Sequence, residues 1–233
     1  MYPSPEETVV VDAAEKLMIE TMARYDPSHD AFHVQRVRKT ALHLARLIWD
    51  SPDAQRKPDL LTVELAALLH DVLDKKYVSA AEAADPYAFF LPFFQSTAAK
   101  SGLDLVADGR ARTVSNIVEN VSWSTEKKLR QNNLIEDWHR ECVELHCVQD
   151  ADRLDAIGAF GILRCAAYSA VTNNALHTPE GDSKHTASAI QHFHDKLLHI
   201  RERLKTEQGK KLAEKRHQLM LDFLQSVDEE YNL

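Results

Sequence analysis

Two imidazoles and two carboxylates lie on three predicted helices of this 233-residue chain: His33 in "HDAFH", the adjacent pair His70 and Asp71 closing "AALLHD", and Asp152 in "QDADRLDA". A mixed nitrogen and oxygen donor set of this kind suits one first-row divalent ion, Mn foremost, with Fe, Co, Ni or Zn as alternatives. Four protein ligands on an ion that takes five or six leave positions for water and a phosphate oxygen. Metal-assisted hydrolysis needs that open coordination. Taken singly, each residue reads equally well as a helix cap, a core hydrogen-bonder or a surface group. The His70-Asp71 pair resists that reading, because Leu65 to Leu69 leave their helix little polar face. An enclosed carboxylate needs a partner, since an unpaired buried charge costs several kcal/mol.

Helices must bring these residues together. Only 6 Gly and 8 Pro, with plentiful Ala, Leu, Glu and Lys, favour an all-α protein. The periodicity predicts helices over 6–24 and 32–49, the second on a stripe of Val34, Val37, Ala41, Leu44 and Ile48 with His33 at its edge. An enclosed helix over 61–73 follows. Residues 78–110 read as short helices and loops, with "FFLPFF" interrupted at Pro92 and turns at Gly102 and Gly109. Helices resume over 112–121, 135–154 and 156–168. The polar stretch "VTNNALHTPEGDSKHTAS" is expected to be an exposed excursion. Two amphipathic helices close the chain, one on Ile190, Phe193, Leu197, Ile200 and Leu204, the other on Leu212, Leu219, Phe223 and Val227. Without an internal repeat or a linker, residues 1–233 read as a single domain.

Composition narrows the functional classes. A net charge of -8 argues against a large basic groove for extended nucleic acid, while leaving room for a small phosphorylated substrate met by a local cluster of cations. Three cysteines without CxxC spacing suggest neither a disulfide framework nor a cysteine zinc site, and fit a reducing compartment. The N-terminal stretch has no basic region followed by an apolar core, and no run approaches membrane-spanning length. The expectation is a cytoplasmic protein without a membrane partner, with nuclear residence and a homodimer left open.

The order His33, His70-Asp71, Asp152 resembles the HD-domain superfamily of metal-dependent phosphohydrolases, whose signature is H…HD…D. The blocks "HDAFHVQRV", "LAALLHDVLDKKY", "DADRLDAIGAFGILR" and "IQHFHDKLL" look like the subgroup that contains bacterial nucleotide pyrophosphohydrolases. The resemblance runs from about His29 to Arg216. It implies a single compact helical HD domain with the metal in the middle of the bundle, and it selects His33 over His29 and Asp152 over Asp150 as ligands. Further histidines bind a second metal in some relatives; the remaining histidines of this chain lie outside the family's ligand positions, so one tight site is expected and a second is left open.

Around the ligands, Asp74 would share a face with His70 and Asp71 on a continuing helix, and related enzymes use an acid here to orient or deprotonate the attacking water. It reads equally as a surface acid. Lys75 adds an ammonium for phosphate charge. Arg36, Lys196 and Arg216 are candidate substrate-binding cations, each of which could instead snorkel to solvent. Asp155, one turn beyond Asp152, is expected to pair with Arg153, bind a ligand histidine or support the metal indirectly. The resulting expectation is a divalent-metal-dependent phosphohydrolase acting on nucleotides, converting nucleoside triphosphates to monophosphate and pyrophosphate. A nucleoside 5'-monophosphatase is the alternative. A non-catalytic nucleotide and metal sensor is the third reading, disfavoured by the complete ligand set and Asp74.

Overall fold

The computed structural model describes residues 2–52, 56–74, 78–79 and 82–232. Among them are eleven α-helices and no strand: α1 (Pro5–Met22), α2 (Ala31–Trp49), α3 (Leu60–Leu69), α4 (Pro86–Ser101), α5 (Arg110–Asn120), α6 (Trp123–Gln131), α7 (Asp137–Glu141), α8 (Val143–Asp155), α9 (Gly158–Val171), α10 (Ala189–Asp195) and α11 (Glu207–Tyr231). Three 3-10 segments join them, at Glu82–Ala84, His185–Ala187 and Leu197–Arg203. Together they form a single compact helical bundle. No single helix is long and apolar enough to cross a membrane.

The bundle is built around α3. Every residue from Leu61 to Leu69 is buried, as its unbroken apolar run requires, and α1, α2, α5 and α8 enclose it. Asp59 starts the helix by accepting the Thr62 N–H at 2.7 Å. The α2 stripe of Val34, Val37, Ala41 and Leu44 is fully buried and packs on both α3 and α8. These three helices set the places of His33, His70 and Asp152.

Several boundaries differ from the sequence expectations. The helix predicted over 61–73 stops at Leu69, and tight bonds from Val72 N to Leu69 O and from Asp74 N to Asp71 O, both 3.1 Å, curl the chain into a turn. Asp74 therefore does not continue the α3 face. Pro92 lies inside α4 without ending it; a mid-helix proline costs about 3 kcal/mol, which full burial of Phe90 and Phe94 on either side offsets. The predicted 135–154 helix is two, because Cys142 is extended (φ -72°, ψ 96°), letting the exposed α7 give way to the core helix α8. Likewise the 190–204 stripe is shared between α10 and the 3-10 segment Leu197–Arg203, broken at Lys196. Leu197 and Ile200 stay buried because a three-residue turn also brings i and i+3 to one side. Residues 171–188 are largely exposed, as expected.

Candidate metal centre

His33 sits in the first turn of α2, where Asp30 accepts its backbone N–H at 2.9 Å and fixes the start of the helix. Its ring is buried, and Nδ1 lies 2.7 Å from Asp155 Oδ2, so Nδ1 carries the proton and Nε2 presents its lone pair. His70 caps the C-terminus of α3 and donates from Nδ1 to the Ala67 carbonyl at 2.8 Å, which also turns Nε2 outward from the helix. Asp71 Oδ2 lies 3.3 Å from each Nε2. These three atoms are buried, have no hydrogen-bond partner, and all lie within 4.8 Å of one another. Buried polar atoms are nearly always satisfied, and ligands about 2.1 Å from one shared ion stand roughly 3.0–3.4 Å apart. The orphaned trio therefore fits a divalent cation. Asp152 Oδ1 lies 3.6 Å from His33 Nε2, with its side chain 26% exposed, beside the trio rather than within it.

The electrostatics of the cluster favour a cation. Burial alone would lower the pKa of His70, but the neighbouring Asp71 and, more weakly, Asp152 push it up to about 9. Burial works the other way on Asp71, and His70 and His33 outweigh it, holding that carboxyl well below the usual range. Asp71 thus stays ionised, as a ligand must.

Asp155 orients the His33 ring on α2. Beyond His33, its carboxylate accepts from Arg36 Nε at 2.7 Å and a terminal Arg36 nitrogen at 3.0 Å, and from Arg164 at 3.3 Å. Against burial, the bonds from His33 and Arg36 hold its carboxyl well below the ordinary carboxylate range. Arg164 also donates to the Ser28 carbonyl at 2.7 Å, tying α9 to the loop before α2. Sequence reasoning overlooked Arg164; its one signal is its place at the end of the "DAIGAFGILR" block. The other reading of Asp155, a pair with Arg153, is not formed: Arg153 turns to Glu126 and the Arg203 carbonyl.

The remaining candidates divide by position. Arg36 is beside the centre, held on Asp155 and stacked 4.2 Å above the Phe160 ring. Asp74 lies in the turn after His70, close enough to Tyr25 for its charge to be felt there, and the Tyr25 hydroxyl points at the Val72 carbonyl at 3.4 Å. Arg216 donates to the Leu154 carbonyl at the end of α8, which makes it a cap for that helix. Lys196 marks the α10 break, and its charge is felt at Cys165 and His192. Lys75 lies outside the described residues. His29 stays out of the ligand set: its Nδ1 is 2.7 Å from Ser28 Oγ and its ring stands edge-on to His33.

No model of a known protein family matches the sequence. The uncharacterised protein YpgQ of Bacillus subtilis is 32% identical over 207 residues, covering 87% of this chain and 84% of that one. Protein L803 of Acanthamoeba polyphaga mimivirus is 27% identical over 196 residues, 74% of this chain and 75% of its own. Among solved structures, YpgQ in complex with ADP superposes with a TM-score of 0.64 at 26% identity, covering 93% of this chain and 97% of that one. An HD-superfamily hydrolase from Bacillus thuringiensis gives 0.67 at 25% identity, over 97% and 98% of the two chains. With this identity and coverage, an HD-superfamily helical fold and a buried His-His-Asp cluster at its middle, the chain belongs to the YpgQ family of HD-superfamily hydrolases.

Proposed function

We propose that this chain hydrolyses nucleoside triphosphates to the monophosphate and pyrophosphate, using one divalent ion, Mn foremost, held by His33, His70, Asp71 and Asp152. The observation that carries the reading is the trio of buried, unpartnered donor atoms on His33, His70 and Asp71. The ADP complex of the YpgQ neighbour supports a nucleotide with more than one phosphate over a monophosphate. A divalent ion at such a site supplies Lewis acidity towards a phosphoryl oxygen and lowers the pKa of water.

The chain's own groups supply the rest. Asp155 fixes the His33 tautomer, and Arg36 and Arg164 fix Asp155, so the ligand ring is held before substrate arrives. Asp74, in the turn directly after His70, takes the proton of the attacking water. Arg36, at the edge of the centre with its side chain 27% exposed, offsets phosphate charge, and Lys75 and Lys196 extend that role along the phosphate chain. Arg216 is engaged at Leu154, so its part is to hold α8, which carries Asp152.

The test is a release screen for phosphate and pyrophosphate over a nucleotide panel with Mn, Co, Ni, Mg and Zn. Pyrophosphate from triphosphates is the expected product. Inorganic phosphate alone, with monophosphates as the best substrates, would overturn the reading in favour of the nucleotidase.

A further inference from the structure

A cavity of about 600 Å³ opens between α6, α7, α8 and the residues that lead into α11. None of the metal-centre residues lines it. His146 of α8 faces it, while Asp155 of the same helix faces the metal centre; nine positions apart, the two are half a turn out of phase. The cavity is of the size that small-molecule sites occupy, roughly 300–1,000 Å³.

Its wall is short of negative charge. Glu126 Oε1 accepts from Arg130 Nε at 2.8 Å and from Lys205 Nζ at 2.6 Å, and its other oxygen accepts from Arg153. One carboxylate thus serves three cations, and Arg153, 2% exposed, keeps a buried Nε with no partner. The other buried acid nearby, Asp150, is turned to the backbone N–H groups of Lys205 and Thr206 at 2.8 and 2.7 Å. Arg153 lies behind the wall, and the third cation on the wall itself, after Arg130 and Lys205, is Arg140, which pairs with Asp137, whose side chain is 87% exposed and well solvated. His146 feels both signs: burial lowers its pKa first, the His139 carbonyl and the Asp150 charge raise it, and Lys205 and Arg153 lower it again, leaving it below its ordinary value. Cations drawn partly out of water in excess of their carboxylates are costly unless an anion completes them.

We propose that this cavity is a second ligand site, separate from the metal centre, which binds a small organic oxyanion on Arg130 and Lys205. Those two cations come from α6 and from the loop before α11 and converge on one point, the Glu126 carboxylate, so an oxyanion beside it meets both. Leu129, Ile135 and Leu204 offer apolar contact to the rest of the ligand. The shared chemistry is that of phosphate and carboxylate, and the test separates them.

The experiment titrates the 233-residue chain, loaded with diamagnetic zinc in place of Mn so that NMR signals are kept, with inorganic phosphate and, separately, with succinate. It follows binding by calorimetry and the His146 ring by NMR. The expected result is that at least one probe raises the His146 pKa, and the tighter probe names the ligand class. Arg130→Gln and Lys205→Gln should each weaken that binding about tenfold, in line with about 1.4 kcal/mol for a lost charge-assisted bond. Both variants should keep the nucleotide hydrolysis rate measured without the probe, so this result does not depend on which nucleotide the metal centre uses. The Arg130 side chain is 47% exposed, and its removal should leave the fold intact by circular dichroism. A His146 ring indifferent to both probes, or binding unchanged in both variants, would overturn the proposal.

Discussion

His33 can serve as a metal ligand through Nε2 in one tautomer only, and the side chain that selects it is Asp155, 2.7 Å from Nδ1. Asp155→Asn keeps the shape but cannot hold both the imidazole and the Arg36 fork, so affinity for the divalent ion should fall roughly 10–100-fold, the usual effect of losing such a partner. Competition with a chelator of known affinity measures it, and an unchanged affinity would return Asp155 to a purely structural place. Asp74 is a different case, because it lies in the turn after Asp71 and its proposed part is to act on water rather than on the ion. Asp74→Asn should leave metal content at the wild-type level and lower turnover by roughly 10²–10⁴-fold, as expected for a lost acid/base group. Equal turnover in the variant would assign Asp74 to the surface.

Helix α9 begins where α8 ends, and Gly158 makes the junction. It holds φ +74°, and a Cβ there would stand 2.9 Å from the Arg216 Cβ, against the side chain that caps α8 at Leu154. Gly158→Ala should therefore destabilise the protein by about 1–3 kcal/mol through left-handed strain and this clash. Chemical denaturation measures the change, and full wild-type stability would contradict the packing described. Elements with apolar periodicity, such as α2 and α3, were legible in the sequence because burial alone organises them. Helix α11 was legible as a helix, but its face was not: Leu212 and Leu219 of the expected stripe are exposed, and the buried side is Ala213, His217, Met220 and Leu224. The sequence expectations omitted α6 because "WSTEKKLRQ" has no apolar stripe. It is held by the Ser122 cap and by the buried Glu126 network with Arg153 and Lys205, partners that are distant in sequence. For the same reason, the clustered histidines could be found from their motifs, whereas the part of Arg164 on Asp155 could not: its place at the end of a motif block does not show which side chain it meets.

At the scale of the whole molecule, α8 stands between two polar regions, with Asp152 and Asp155 turned to one and His146 and Gln149 to the other. Glu126, which ties α6 to α8 and Lys205, also makes the fold sensitive to acid. Burial would raise its pKa, but Arg153, Lys205 and Arg130 lower it from 4.5 to about 2. A carboxylate depressed in the folded state stabilises the fold fully above pH 4.5, and that stability is lost as the pH falls towards 2. At about 1.4 kcal/mol per unit this amounts to about 3 kcal/mol. Glu126→Gln should be less stable at neutral pH and lose less between pH 4.5 and 2; parallel acid-stability curves for the two proteins would contradict the network's role.

The central claim is that His33, His70, Asp71 and Asp152 hold one divalent ion. Elemental analysis of the protein purified without chelator tests it most directly, compared with His70→Ala prepared in the same way and shown to be folded. About one transition-metal ion per chain in the wild type, and none retained by the variant, is the predicted result. A folded His70→Ala protein that keeps a full complement of metal would contradict it.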